Sequence, residues 1–517
     1  MAQPRLAFWL QLATAVWVAS VSLGGGLFAA AAGLAVAAAL LAGAASASRP
    51  GHPKGPRRVV GAGAATLVFG VAHLLFGGAA GLLSLGLALA TLYAGAQLAL
   101  ELAPVARELP PRSPRGPGLA LAVAADEALL LSWDWNGRIG LPGSPAWLAA
   151  RLRTAAERSA ERGWLADPES AHPLPPALEK PSLARVAVRG FGSAERLRFE
   201  SDYEPADSEV REAFLGARAN RIAEAWLWRD RGAPRPALVC IHGYTGGRPA
   251  LDARMFELNR LRGLGLDVAL FVLPLHGSRA LGRRSGQGFL GGDPLWTSAA
   301  AGQAIWDLRR LTGWLRSEGA PVVGVLGGSL GGYIAALYAS LDGRLGCAVP
   351  QVPAVRLARL VWTELPEAQR RALEAAGASA ALLDEAWASH APLRHRPKLA
   401  PEARLIVAGA ADRVCTPDHA RALHAHWAGS EIHWFPGSHL LHLGRGGVRL
   451  RVETFLRQRL VEIDTAPASA GAREPEPAER APQPAERIGA APVAVAAAQP
   501  APQPAPTEAA TLSRFRR

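Results

Sequence analysis

Ser329 stands in Gly327-Gly328-Ser329-Leu330-Gly331, a GxSxG sequence with the apolar run Ala320–Leu326 before it and the helix-forming residues Tyr333–Ser340 after it. That context is what a sharp strand-to-helix turn requires. The chain reverses so tightly that the positions two before and two after the serine meet, and only small side chains such as Gly327 and Gly331 fit there. The turn lifts the serine clear of the strand and sets it at the positive end of a helix dipole. Gly332, Ala335, Ala336 and Ala339 let the helix lie close against what precedes it. A plain glycine turn is the competing reading in a chain with 55 glycines. The strand before and the helix after favour a nucleophile.

A serine nucleophile needs a base to take its proton and donors for the oxyanion that forms on its substrate. Ile241-His242-Gly243-Tyr244-Thr245-Gly246-Gly247 follows the apolar run Pro236–Ile241 and is suited to the second task. Its candidate donors are the backbone N–H groups of Tyr244 and, from the elbow itself, Leu330. His242 precedes the nucleophile and reads as a loop stabiliser. Asp412 ends the run Leu405–Ala411, with Pro417 closing the turn, where a carboxylate can fix the tautomer of a base. His439 lies in Phe435-Pro436-Gly437-Ser438-His439, directly after a strand-like run. His419, His424 and His426 fall in the predicted helix Pro417–Trp427, His433 falls within a strand, and His442 is the nearest rival to His439.

The order Ser329, Asp412, His439 is the chain order of α/β-hydrolases. Residues 182–463 resemble that superfamily through HGYTGG at 242–247, GGSLG at 327–331, GAADRV at 409–414 and PGSH at 436–439. Pro274–Arg279 is similar to the loop that follows the next core strand in the same proteins. The resemblance implies a mostly parallel sheet flanked by helices and a helical lid at 352–399, with Trp362 and Leu365 as its walls. It also implies a serine esterase that cleaves an ester, thioester or related acyl bond of a small acyl or lipid-like substrate, with no metal or organic cofactor. An acyltransferase using the same triad and a membrane scaffold that has lost turnover are the alternatives.

The elements that must position these residues follow the same alternation. Strand-like runs at Ala184–Val188, Arg196–Glu200, Ile222–Trp228, Val268–Leu273, Val322–Leu326, Cys347–Val349 and Ile432–Phe435 are separated by helical stretches, the pattern of a helix-covered parallel sheet.

Ahead of this region the chain changes character. No charged side chain occurs from Leu6 to Ser48 or from Val59 to Leu100. Gly24-Gly25-Gly26 and Gly77-Gly78 divide these stretches into four predicted transmembrane helices, about 6–23, 27–47, 59–76 and 80–102. Arg5, then Arg49, Lys54, Arg57 and Arg58, then Arg107, Arg112 and Arg115 fall on one side. Both termini are therefore expected in the cytoplasm, as in a multi-pass protein of a bacterial inner membrane. Ala45-Ser46-Ala47 resembles a signal-peptide cleavage site, but the apolar region is far longer than a signal core. With His73 as the only readily ionisable residue within the spans, a transport path lacks its usual polar groups.

The domain plan is thus a membrane region at 1–104, a juxtamembrane segment at 105–180, a hydrolase domain at 181–463 and a Pro/Ala-rich disordered tail at 464–517. In the juxtamembrane segment, Gly118–Trp135 is apolar yet holds Asp126, Glu127 and Asp134, and admits two placements: on the membrane side of the hydrolase, or at its entrance. Ala146–Trp164 reads as an amphipathic helix. If the spans only anchor, a chain beginning near Arg115 keeps its fold and its turnover of a small soluble ester.

The net charge of +13 is carried by Arg, with Lys only at Lys54, Lys180 and Lys398. No basic run interleaved with aromatics supports nucleic-acid binding. Anionic headgroups are the better use of the charge. Cys240, Cys347 and Cys415 lack CxxC spacing, which argues against a disulfide framework or a structural zinc site.

Overall fold

The computed structural model describes residues 2–23, 26–49, 52, 54–103, 105–108, 116–136, 139–230 and 232–462. The turn at Gly24-Gly25, Arg112 and Arg115 of the basic linker, and the tail at 464–517 lie outside the described residues.

Apolar composition without charge gives four long helices: α1 (Ala2–Leu23), α2 (Leu27–Ala47), α3 (Gly55–Gly77) and α4 (Ala80–Leu102). Each is long and apolar enough to cross a membrane. Trp17 and Gln11 on α1 tie the bundle together, through Nε1–H to Ser84 Oγ at 3.0 Å and Nε2–H to the carbonyl of Val59 at 3.3 Å. α3 starts at Gly55, earlier than the charge pattern suggests, because Pro56 suits a first helical turn and Arg57 and Arg58 continue it.

The segment that the sequence left with two placements is a helix, α5 (Pro117–Asn136). Its residues Leu119, Ala120 and Val123 pack with Val60 of α3, with Ala96, Ala99 and Leu100 of α4, and with Ala411. Leu130 and Trp133, further along, belong to the main hydrophobic core. α5 is therefore an intermediate layer between the long apolar helices and the globular region. α6 (Pro145–Glu161) is capped by Ser144, whose hydroxyl accepts from Trp147 N–H at 3.3 Å.

Nine strands form one sheet in the order β1-β2-β3-β5-β4-β6-β7-β8-β9. They are β1 (Ser182–Val188), β2 (Gly192–Glu200), β3 (Ile222–Trp228), β4 (Ala237–Ile241), β5 (Asp267–Val272), β6 (Val323–Gly328), β7 (Ala348–Gln351), β8 (Leu405–Gly409) and β9 (Glu431–Phe435). The pairs from β1 to β5 across β3 are antiparallel, and those from β5 to β9 are parallel. Side-chain alternation feeds two cores. Val239, Ile241, Val325 and Ala408 face the helices Pro294–Ser317 and Leu330–Leu341. Leu238, Cys240, Leu326 and Val407 face Leu258, Leu261, Phe455 and Leu456. This is an α/β-hydrolase fold, preceded by long apolar helices.

The stretch between β7 and β8 holds the helices Leu357–Glu364, Glu367–Ala375 and Ala380–Ala386. Trp362 and Leu365 are buried within the main core. α6 lies against the second and third of these helices.

Candidate active site

β4 and β6 are neighbours, with Ile241 opposite Gly327, so the loops leaving their carboxyl ends emerge side by side. β8 and β9 end on the same edge at Gly409 and Phe435. A parallel sheet gathers such loops at one edge, where open α/β sheets place their ligands.

Ser329 has φ 56° and ψ −114°, a conformation that a non-glycine residue rarely adopts. Its N–H donates to Gln351 O at 2.9 Å and its carbonyl accepts from Tyr333 N–H at 3.0 Å, which hold the strained turn. A Cβ on Gly327 would lie 2.1 Å from Gly331 O, and one on Gly331 would lie 1.9 Å from Ile241 O. The glycine requirement read from the motif is thus a matter of physical space.

Ser329 Oγ lies 3.0 Å from His439 Nε2, and His439 Nδ1 lies 2.8 Å from Asp412 Oδ2. The other Asp412 oxygen accepts from the N–H groups of Val414 at 2.8 Å and Cys415 at 2.7 Å. With the carboxylate at Nδ1, that nitrogen carries the proton and Nε2 faces the hydroxyl as acceptor. Burial lowers the His439 pKa, and the Asp412 carboxylate, followed by Cys415, opposes it and raises the imidazole above its ordinary value. Burial raises the neighbouring Cys415 thiol, so it stays protonated.

The rival histidines are occupied elsewhere. His442 stacks on Phe435 with ring centroids 4.3 Å apart, and burial lowers its pKa to about 4. His419 Nδ1 accepts from Arg356 N–H at 3.2 Å. His242 donates from Nδ1 to Gly243 O at 2.8 Å and accepts at Nε2 from Leu273 N–H at 3.1 Å, which fastens its loop to the end of β5. A Cβ on Gly243 would stand 3.3 Å from both Gly328 O and Ser329 Cβ, so the Tyr244 loop lies directly against the elbow. Leu330 opens the helix Leu330–Leu341, whose first-turn N–H groups have no intrahelical acceptor. The Tyr244 ring meets Trp133 of α5 edge-on at 5.7 Å.

Sequence reading missed Asp126. This fully buried carboxylate on α5 accepts at Oδ2 from His439 N–H at 2.8 Å and from Arg413 N–H at 3.0 Å. At Oδ1 it accepts from Leu440 N–H at 3.0 Å and lies 2.8 Å from Ser438 Oγ, which has one proton and also lies 2.8 Å from the carbonyl oxygen of Ala122. The available signal was an acidic pair, Asp126 and Glu127, inside an otherwise apolar helix. Glu127 pairs with the Arg413 side chain at 2.9 Å. Among the described residues no group of His, Cys, Asp and Glu is arranged to hold a metal ion.

No family model matches the chain. An uncharacterized protein of Mycobacterium tuberculosis (strain H37Rv) is 34% identical over 352 residues, which cover 66% of this chain and 83% of that protein. An uncharacterized protein of strain CDC 1551 / Oshkosh matches with the same identity and coverage. The chain belongs to their family. Both family members are described as uncharacterized, so membership names no reaction. Among solved structures, an acetyl xylan esterase from Paenibacillus sp. R4 superposes with a TM-score of 0.39 at 18% identity, covering 56% of this chain and 91% of that one. Acetyl xylan esterase 1 from Thermoanaerobacterium sp. JW/SL YS485 gives 0.40 at 15% identity, covering 62% and 96%.

Proposed function

We propose that this family member is a membrane-anchored serine hydrolase that cleaves an ester, thioester or related acyl bond through an acyl-serine. The observation that carries the reading is the continuous chain from Ser329 Oγ to His439 at 3.0 Å and on to Asp412 at 2.8 Å, with the serine in a strained backbone conformation.

In this reading His439 Nε2 takes the Ser329 proton as Oγ attacks the acyl carbonyl carbon. The oxygen that becomes negative is held by the N–H groups of Leu330 and Tyr244, donors fixed before charge develops. The imidazolium, steadied by Asp412, passes its proton to the leaving group as that bond breaks. A water molecule, deprotonated by the same nitrogen, then attacks the acyl-serine and releases the acid. An alcohol in place of water would make the second step acyl transfer.

The helices α1–α4 anchor the enzyme in a membrane with the hydrolase on the cytoplasmic side, which suits a lipid-like acyl substrate. The test is labelling with a fluorophosphonate probe. The full-length protein should label and Ser329→Ala should lose both labelling and turnover while remaining folded. Full labelling of the variant would remove Ser329 from the role and point to another serine, such as Ser278.

A further inference from the structure

The acyl chemistry above leaves one carboxylate of the site unused. The four groups within hydrogen-bond distance of the Asp126 carboxylate, three backbone N–H donors and the Ser438 hydroxyl, all come from the two loops that carry the acid and the base. One donor is the backbone N–H of His439 itself. Two more belong to its neighbours Ser438 and Leu440, and the fourth to Arg413, the residue after Asp412. The Arg413 guanidinium goes to Glu127, so the Asp126 charge is met by hydrogen bonds rather than by a cation at its own oxygens. A buried carboxylate is costly to desolvate, and these four groups at 2.8–3.0 Å are the compensation here.

We propose that Asp126 is a positioning residue for the hydrolase: as a carboxylate it clamps the base loop to the acid loop and so sets the His439 ring between Ser329 Oγ and Asp412. The inference rests on the serine-hydrolase reading above and extends it, because the clamp belongs to α5 and not to the hydrolase sheet. A shift of the His439 backbone would disturb the ring contacts to Ser329 and Asp412 at once, since one imidazole makes both.

Charge at Asp126 matters as well as shape. Burial, and then the nearby Asp412 carboxylate, raise its pKa to about 6, against the His439 charge and the N–H donors of Arg413 and His439 that lower it. The charged groups around it are Asp412, Arg413 and His439 on the loops and Glu127 beside it, with Arg57 of α3 reaching Glu127 at 3.7 Å. Below about pH 6 a proton on Asp126 would oppose the backbone N–H donors on the oxygen that carries it, and the clamp would loosen. The anion also favours a protonated His439, so its removal should lower the pKa of that base.

The experiment uses full-length protein in detergent and counts active sites with a fluorophosphonate before measuring turnover of a small ester. In Asp126→Asn the amide N–H₂ must face either the N–H groups of Arg413 and His439 or that of Leu440. The expected result is a fall in kcat per labelled site of about a hundred-fold with little change in KM, the scale that a misplaced catalytic group produces. The acid limb of the kcat profile should move to lower pH. A merely structural role would instead reduce the number of labelled sites and leave kcat per site and the pH limb where they were, which would overturn the inference. If Asp126→Asn does not fold, Ser438→Ala, which removes one donor, decides: a several-fold fall in kcat per site at constant KM supports the clamp, and an unchanged kcat overturns it. Failure of the underlying reading is separate, because wild-type protein would then not label at Ser329 at all.

Discussion

Arg57, at the start of α3, joins the long apolar helices to the globular region by an ionic knot whose strength can be measured. Its guanidinium forks onto Glu364 of the helix Leu357–Glu364 at 2.6 and 3.1 Å, reaches Asp134 of α5 at 3.1 Å, and lies 3.7 Å from Glu127. Lys54 adds a 2.6 Å contact to Asp134 and a 3.2 Å hydrogen bond to the carbonyl of Glu364. The Arg57 and Glu127 side chains are only 5% and 1% exposed, and that of Glu364 10%. Arg57→Met keeps the stem and deletes the charge, which leaves Glu364 without its fork. Removing one partner of a buried pair costs about 3–5 kcal/mol. Lys54 remains nearby, so about 3 kcal/mol is expected, equivalent to roughly a hundred-fold rise in the locally unfolded population of the segment between β7 and β8. Limited proteolysis of native protein in detergent reads that population when reclosing outpaces cleavage. The control is Arg421→Ala, which breaks a pair with Glu108 at 2.8 Å whose partners are 43% and 42% exposed. Such surface pairs contribute about 0–1 kcal/mol and are screened by salt. Cleavage of Arg57→Met between β7 and β8 at the wild-type rate, indistinguishable from Arg421→Ala, would refute the reasoning.

Three further outcomes follow from the same contacts. Gly331→Ala should abolish labelling of Ser329 and lower the yield of folded protein, because its Cβ would meet Ile241 O at 1.9 Å; a labelled, stable variant would contradict this. Burial lowers the pKa of His172 and of His390 to about 3, well below the unfolded value, so stability is intact above about pH 6.5 and falls as pH drops below it. Each contributes about 1.4 kcal/mol per pH unit there, and His390→Asn should flatten the slope of stability against pH measured by thermal unfolding at pH 7 and pH 5. A chain beginning at Gly116 keeps α5 but loses Val60, Ala96 and Leu100 from its apolar face, together with Arg57 and Lys54. Its turnover of a small soluble ester should fall at least ten-fold, and turnover at the full-length rate would restore the view of the helices as a simple anchor.

The grouping of Ser329, Asp412 and His439 was legible because each is marked by short-range chemistry. Gly327 and Gly331 are forced by contacts within the elbow, and Asp412 and His439 each follow a strand whose apolar run is readable. Strand interiors were legible for the same reason, whereas ends shifted by a few residues, as at β2, where the hairpin partner of β1 begins at Gly192 rather than Arg196. Asp126 was not legible. Three of its partners are backbone N–H groups 287 to 314 positions away, and a backbone donor leaves no mark in the sequence. Arg57 was read as a marker of membrane orientation, a role that a charge count can reveal, while its fork onto Glu364 depends on a fold that the count cannot see.

Why a helix outside the sheet should support the site follows from where Ser329, Asp412 and His439 stand. The loops at the carboxyl edge of a parallel sheet carry function because they are free to vary, and for that reason the sheet itself fixes them only at their roots. Here each of the relevant loops has a second fastening, and three of those fastenings are on α5. Asp126 takes the base loop and the start of the acid loop, Glu127 takes the Arg413 side chain, and Trp133 takes the Tyr244 ring. α5 could not do this as an isolated helix, since its remaining apolar residues would face water. Val60, Ala96, Ala99 and Leu100 cover them instead. The chain from Ala103 onward adds its own ties, with Ala106 N–H donating to Ala410 O at 2.9 Å and Arg413 reaching the carbonyl of Ala103 at 3.4 Å. The geometry around Ser329 is thus braced by the same helices that are apolar enough to lie in a bilayer, so a change in how α3 and α4 meet would reach the acid and base loops through α5 without passing through the sheet.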